Sequence, residues 1–208
     1  MKKEELSQKK NLIGCAIVFF IPFILIGLWT LVFSVINICK SEKTKYWIEV
    51  IAEVENVTSA YNNKGKLSEV KIRYVYIVKN KKYKNNKIAF GYRSNGVEDH
   101  ETLFNKLKIA KKIRIYINPY NHSDSILVRG LNDSIIKMLI FSIMWNSLLS
   151  LFLIPLFTKE NSVNRHKKKL KIVFIIWSIG FYLIFTKPIC ISIAEKIKII
   201  ENESAKAE

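Results

Sequence analysis

The chain has 208 residues with 34 Lys+Arg against 17 Asp+Glu, a formal charge of +17, and half of its residues are hydrophobic. This length allows one modest domain with membrane anchors and excludes two large cores. A charge of this size indicates an anionic environment or partner, for which nucleic acid and anionic lipid are the two usual candidates.

Three uncharged segments predict membrane-spanning helices. The first, residues 12–39, exceeds the roughly 20 apolar residues that cross a bilayer core, and it lacks the small-residue end of a cleaved signal peptide. The second covers residues 138–158. The third uncharged run, residues 172–186, is shorter; it predicts a span over 172–187 if Lys187 reaches the interface, and a re-entrant or interfacial helix is its alternative.

Lysines and arginines near the ends of these segments predict the orientation. The segment 159–171 is the densest basic cluster in any short loop, and it is expected to be cytoplasmic. Residues 1–11 are then cytoplasmic, residues 46–130 are extracytoplasmic, and residues 188–208 form a C-terminal tail. Three lysines at the outer end of the first helix oppose this orientation: Lys40, Lys43 and Lys45.

Between the first two helices, residues 46–130 have the two-residue alternation that is typical of half-buried strands. Val70, Ile72, Tyr74 and Tyr76 form one apolar face, for example, and a tight turn at Asn80-Lys81 follows. Five strands are predicted: 48–54, 70–78, 82–92, 113–117 and 125–128.

A short helix is expected between the third and fourth strands. Asn95 and Glu98 have the spacing of an N-cap and its N3 partner, and Asp99 and Glu101 suit the positive end of a helix dipole. Three apolar residues then share one helical face: Leu103, Phe104 and Leu107. The sequence therefore predicts an α+β membrane protein with a small five-stranded antiparallel β-domain. Either an OB-like barrel or an open sheet with a helix across one face fits this order.

Two stretches of this domain resemble a known family. They are Val70–Tyr83, with tyrosines at 74 and 76, and the segment from Ile115 to Pro119 that is followed by Ser125-Ile126-Leu127. Both resemble the membrane-protein family called domain of unknown function 3592. The resemblance covers about residues 46–130 and implies a strand that ends in a Tyr–Asn–Pro turn and leads toward a transmembrane helix. It implies no activity.

No group of side chains indicates catalysis, a cofactor or a metal. The three histidines are far apart in the sequence, and no metal-ligand spacing, Gly-rich phosphate loop or nucleophile elbow occurs. The acidic run at Glu98, Asp99 and Glu101 is interpreted as a solvated helix start rather than an acid–base pair. His122 beside Asp124 is interpreted as a polar turn rather than a catalytic dyad. The chain is therefore not expected to be an enzyme, and no catalytic, cofactor-binding or metal-ligating residue is assigned.

The leading hypothesis is a multi-pass protein of a bacterial inner or plasma membrane that presents a small basic β-domain for protein or envelope contact. Its expected partners are the lipid bilayer and another membrane or envelope protein. Five lysines are candidates for contact with an anionic surface: Lys79, Lys81, Lys82, Lys84 and Lys87. The alternatives are a subunit of a membrane enzyme or transporter complex, and an OB-like nucleic-acid-binding domain. Nucleic acid is expected as a partner only if the domain is cytoplasmic.

Overall fold

The computed structural model of the protein describes residues 2–61, 63, 65–92, 97–157, 163–186 and 188–200. Within these ranges, only the backbone is described for residues 2–13, 15–17, 154–157 and 163–166. The chain forms two compact units. The described residues of the helical unit lie within 1–35 and 137–187, and those of the β-domain lie within 36–136 and 188–208. The helices are α1 (Lys2–Lys43), α2 (His100–Ile109), α3 (Asp133–Phe157), α4 (Val163–Phe185) and α5 (Ile193–Lys196). The strands are β1 (Ile48–Tyr61), β2 (Leu67–Val78), β3 (Lys81–Asn85), β4 (Lys112–Asn118), β5 (Asn121–Ile126) and β6 (Ile199–Ile200).

The β-domain is built on an open antiparallel sheet in the order β3-β2-β1-β4-β5, and β6 pairs with β4. The open sheet is one of the two architectures that the sequence allowed, and the barrel is not formed. The expectation of five strands was incomplete, because the segment 188–200 adds the sixth strand. The α+β class is confirmed.

The core lies on one face of this sheet. Tyr74 of β2 and Ile115 of β4 are completely buried, as are Leu103 and Leu107 of α2, which packs across β1 and β2. Removing such side chains from water stabilises the fold by about 1.5–3 kcal/mol each. The alternation therefore identified the buried face of β2 correctly, and Arg73 lies on the exposed face.

The hairpin between β2 and β3 turns one residue earlier than predicted. Lys79 and Asn80 have φ angles of +50° and +60°, and two consecutive residues with positive φ are the mark of a type I′ turn, whose twist matches the flanking strands. The prediction of a third strand that continues to residue 92 was wrong, because β3 ends at Asn85. Beyond it the chain leaves β2 and turns toward β5, where the N–H of Leu127 donates to the carbonyl of Lys87 at 3.1 Å.

The start of α2 and the bounds of β5 also differ from the prediction. Asp99 is the N-cap of α2, because its carboxylate accepts from the backbone N–H of Thr102 at 3.0 Å. The expected cap, Asn95, lies outside the described residues. Glu98 lies before the helix, and its carboxylate accepts from the N–H and the hydroxyl of Ser134 at 3.1 Å each. The fifth strand runs over 121–126 rather than 125–128.

The segment 188–200, predicted as a tail, is part of the β-domain. The carboxylate of Asp133 accepts from the N–H groups of Ile189 and Cys190 at 3.0 and 2.7 Å. Lys106 of α2 donates to the carbonyl of Ala194 at 2.8 Å. Because Ile193 and Ala194 are buried in the core, this segment contributes to the stability of the domain.

In the helical unit, α3 contacts α1 and α4 at positions where small residues allow close approach. The indole N–H of Trp145 donates to the carbonyl of Phe23 at 2.9 Å, and the amide of Asn146 donates to the carbonyl of Gly27 at 3.1 Å. A Cβ atom added at Gly27 would lie 2.7 Å from the Asn146 side chain, and one at Gly180 would lie 2.3 Å from the Met144 sulfur. Small residues of this kind are typical of helix contacts inside membranes.

Two of the helices are long and apolar enough to cross a membrane, over Val18–Tyr46 and Asp133–Leu153. They cover most of the first two predicted spans. The third predicted span, 172–187, is not among them. The segment 159–171 was predicted to be a loop, but α4 already begins at Val163, and residues 158–162 lie outside the described part of the chain.

Candidate functional site

The five lysines predicted to contact an anionic surface lie in and just after the β2–β3 hairpin, and two of them have carboxylate partners. Lys84 lies 2.8 Å from Glu55, and Lys87 lies 2.9 Å from Asp124. The hydrogen bond from Lys84 holds the pKa of Glu55 below its usual value. The other three are exposed and form no ion pair with any residue that the structure describes: Lys79, Lys81 and Lys82.

A cleft of about 370 Å³ opens where β3 stops pairing with β2, and we name it the β2 cleft. One wall is the edge of β2 over residues 70–73, and the other is the segment 86–89 that leaves toward β5. Tyr92 closes one end, where its hydroxyl accepts from the N–H of Val70 at 2.9 Å. Alternate residues of an antiparallel strand direct their backbone groups to the same side. The N–H and carbonyl of Ile72 therefore also point away from β1, toward the cleft.

The lining of the β2 cleft is polar and basic above an apolar floor. The floor includes Ile88 and Ala89, both buried. The polar and charged side chains around it come from β1, β2 and the segment after β3: Asn56, Thr58, Glu69, Lys71, Arg73, Asn86 and Lys87. Their register explains the grouping, since Asn56 lies opposite Arg73 and Thr58 lies opposite Lys71 on the exposed face of the sheet.

Ion pairs within the domain already use two of the three cations of the β2 cleft. Lys71 lies 3.5 Å from Glu69, and Lys87 is held by Asp124. Arg73 forms no ion pair with the described residues, although it is near enough to Glu55 to contribute to the lowered pKa of that carboxyl. The guanidinium of Arg73 is therefore the cation of the cleft that is free to bind a ligand.

Behind the β2 cleft, Tyr92 contacts a buried histidine. The hydroxyl of Tyr92 lies 2.9 Å from Nδ1 of His100. The hydroxyl donates in this contact when Nδ1 is unprotonated, and it accepts when Nδ1 carries the proton. Nε2 is buried without a hydrogen-bond partner among the described residues. Burial raises the pKa of Tyr92 to about 12 and lowers the pKa of His100, so both are neutral at pH 7.

The residues weighed for catalysis have structural roles in the described part of the chain. Asp124 pairs with Lys87, and the backbone carbonyl of His122 accepts from the hydroxyl of Tyr76 at 2.7 Å. Asp99 caps α2, and its pKa is lowered by hydrogen bonds from Thr102. In the part of the chain that the structure describes, no group of three or more His, Cys, Asp and Glu side chains is placed to hold a metal ion.

Sequence reasoning did not identify Arg73 and Asn56 as site residues. The signal that was present is the alternation of β2, which places Lys71 and Arg73 on its exposed face. The partner residues on β1 could not be found in this way, because a bulge at Glu55 shifts the register between Val54 and Asn56. The end of β3 at Asn85, which opens the β2 cleft, also has no clear sequence signal.

These features define a class of protein: a small α+β domain, with an open antiparallel sheet, inserted between two helices long and apolar enough to span a membrane. Residues 49–132 match the model of the family described as Domain of unknown function (DUF3592). The resemblance noted in the sequence is thereby confirmed. Comparison with curated proteins and comparison with solved structures gave no match.

Proposed function

We propose that the chain is a membrane-anchored, non-enzymatic module that holds its basic β-domain beside a bilayer, for contact with an anionic surface or a protein of the envelope. The observation that carries this proposal is the insertion of the β-domain between two helices of membrane-spanning length and composition. Apolar side chains on α1 are exposed, with Trp29 at 73%. Lipid would cover such a surface, whereas water would not favour it.

We also infer that the chain crosses the membrane three times. Residues 36–136 and 188–200 belong to one unit, and β6 is paired with β4. An even number of crossings must therefore separate these two parts, so α4 crosses if α3 does. The apolar part of α4, residues 172–185, rises about 21 Å, and the whole helix rises about 35 Å. Four lysines at its start can extend to the interface: Lys167, Lys168, Lys169 and Lys171.

In this arrangement the N-terminus and the segment 159–171 lie in the cytoplasm, and the β-domain lies outside. The basic residues of the segment 159–171 support the orientation. The proposed location is the inner or plasma membrane of a bacterium.

Impermeant thiol labelling tests this topology. In a chain whose three cysteines are replaced by serine, single cysteines are placed at Asn63, Lys168 and Lys198, all of them exposed. We expect Asn63→Cys and Lys198→Cys to label in intact cells, and Lys168→Cys to label only after permeabilisation. Labelling of Lys168→Cys and Lys198→Cys on the same side would contradict the third crossing. The fully reversed pattern would place the β-domain in the cytoplasm.

A further inference from the structure

The β2 cleft has the features of a small-ligand site. Its volume of about 370 Å³ falls in the range of about 300–1,000 Å³ that is usual for sites that enclose small molecules. It is bounded at one end by the contact between Tyr92 and Val70, and at the other by the last β2–β3 pair, Tyr74 with Asn85. Between these two contacts, Ile72 alone directs its backbone N–H and carbonyl from the edge of β2 into the cleft. The gap is therefore too short to admit an added β-strand.

The positive charge that lines the β2 cleft favours an anionic ligand. Arg73 lines it without an ion pair among the described residues, while Lys71 and Lys87 are each shared with one carboxylate. A guanidinium binds an oxyanion through two parallel N–H donors, and such charge-assisted bonds are about twice as strong as neutral ones. The end of the Arg73 side chain is therefore the expected position of a phosphate or carboxylate group.

The rest of the lining fits an uncharged polar body attached to that anion. Asn56 and Asn86 offer amides and Thr58 offers a hydroxyl, and no hydrogen bond within the described residues uses these side-chain groups. Ile88 and Ala89 supply an apolar floor beside them. Amides and hydroxyls around a small apolar patch suit a compact polyol such as a sugar ring.

We propose that the β2 cleft binds a small oxyanion-bearing polyol, of the sugar phosphate or sugar acid class, with the guanidinium of Arg73 on the oxyanion. This proposal names a ligand class for the anionic contact proposed above. It rests on that proposed function in one respect, because the β-domain must be accessible to the ligand.

Binding to the full chain in neutral detergent tests the site. Three probes of the same ring are compared by titration calorimetry: glucose 6-phosphate, glucuronate and uncharged glucose. We expect at least one anion to bind with a Kd of about 1 mM or tighter, and glucose to bind about tenfold more weakly or not at all. The two anionic probes distinguish a phosphate ligand from a carboxylate ligand. Absence of binding by both anions at about 10 mM, or equal binding of glucose, would overturn the proposal.

A matched pair of variants separates the β2 cleft from general charge attraction. Arg73→Gln removes the free cation of the cleft, and Lys112→Gln removes an equal charge from the exposed face of the sheet outside the cleft. Both side chains are exposed, so both variants should keep the thermal midpoint of the parent chain. We expect Arg73→Gln to weaken anion binding about tenfold and Lys112→Gln to leave it within about twofold. Equal losses in the two variants would reject the site while leaving the membrane-surface contact of the hairpin untouched.

Discussion

Tyr74 joins the core of the β-domain to the path of the chain after β3. Its ring is completely buried, and its hydroxyl lies 3.0 Å from the carbonyl of Lys87 and 3.2 Å from the hydroxyl of Ser125. Burial of the phenol raises its pKa, so the hydroxyl stays neutral at physiological pH and can donate to that carbonyl. One side chain thus fills the core and fixes the point at which the segment after β3 turns toward β5.

Substitution of Tyr74 by serine should strongly destabilise the domain. The change removes a buried aromatic ring, which costs about 3–5 kcal/mol of unfolding free energy, and it leaves the Lys87 carbonyl without this donor. The matched control is Tyr120→Ser, because Tyr120 is 97% exposed. Thermal unfolding of the full chain in neutral detergent, followed by near-ultraviolet circular dichroism, measures the difference. A mild effect at Tyr74 comparable to that at Tyr120 would mean that the faces of β2 are assigned wrongly.

His100 makes the stability of the domain depend on pH. It is 4% exposed, and burial lowers its pKa below the unfolded value, while the charges of Asp99 and Glu69 oppose this shift in part. The unfolded chain then takes up a proton more readily than the folded chain as the pH falls below about 6.5. The unfolding free energy should therefore decrease with falling pH from about 6.5 down to the folded pKa, by at most about 1.4 kcal/mol per pH unit.

The variant His100→Asn tests the origin of this slope. Asparagine retains polar atoms near Tyr92 but does not titrate, so the decrease just below pH 6.5 should disappear, whatever the change in absolute stability. The carboxylates, including Asp99 with its lowered pKa, lose stability at lower pH and remain as an internal reference. A slope that persists unchanged in the variant between about pH 6.5 and 5 would assign it to another group.

At the scale of elements, the β-domain is completed by a segment that is distant in the sequence. The segment 188–200 enters the core through α5 and extends the sheet through β6, where Ile199 lies opposite Ile113. Asp133, at the start of α3, binds its backbone at Ile189 and Cys190. These contacts tie the segment 188–200 to the residue at which α3 begins.

Two neighbouring isoleucines provide a matched test of this packing. Ile193 is 1% exposed in the core, whereas Ile191 is 63% exposed. We expect Ile193→Ala to lower the unfolding free energy by about 2–4 kcal/mol and Ile191→Ala to change it by less than about 0.5 kcal/mol. The loss of stability is measured by thermal unfolding of the full chain and by the rate of proteolytic cleavage on the C-terminal side of residue 187. Equal, small effects would show that the segment 188–200 does not belong to the core.

Local patterns predicted the elements that bury one regular face. The alternation of β2 and β4 and the apolar face of α2 were sufficient, because burial on one side of an element produces a regular period. The segment 188–200 was missed because it is short and its partners, such as Ile113, are distant in the chain. For the same reason the end of β3, the bulge at Glu55 and hence the β2 cleft could not be predicted from periodicity.

At the scale of the whole molecule, the β-domain is basic and its two connections to the apolar helices are short. Residues 46–130 contain 16 Lys+Arg and 8 Asp+Glu. In the proposed topology both ends of this region enter the bilayer within a few residues, so the domain stays within a short distance of lipid head groups. A lysine near an anionic surface contributes about 1 kcal/mol, and the effect decays over a Debye length of about 8 Å at physiological salt.

The hairpin turn should therefore approach an anionic bilayer. The full chain is placed in nanodiscs with or without phosphatidylglycerol, and a polarity-sensitive dye is attached at Asn80→Cys in the cysteine-free chain. With anionic lipid at low salt, we expect reduced quenching of the dye by aqueous iodide, and this protection should fade between about 50 and 300 mM salt as screening increases.

Charge reversal of the three hairpin lysines without ion pairs should abolish the protection, because each reversal replaces an attraction of about 1 kcal/mol by a repulsion. The variant changes Lys79, Lys81 and Lys82 to glutamate. The control makes the same net change at three other exposed lysines of the β-domain: Lys108, Lys111 and Lys112. Equal loss of protection in both variants would assign the attraction to the net charge of the domain. Protection that is independent of salt and of lipid charge would instead indicate that the hairpin makes no electrostatic contact with the bilayer, and the contact surface for a partner would then lie elsewhere on the domain.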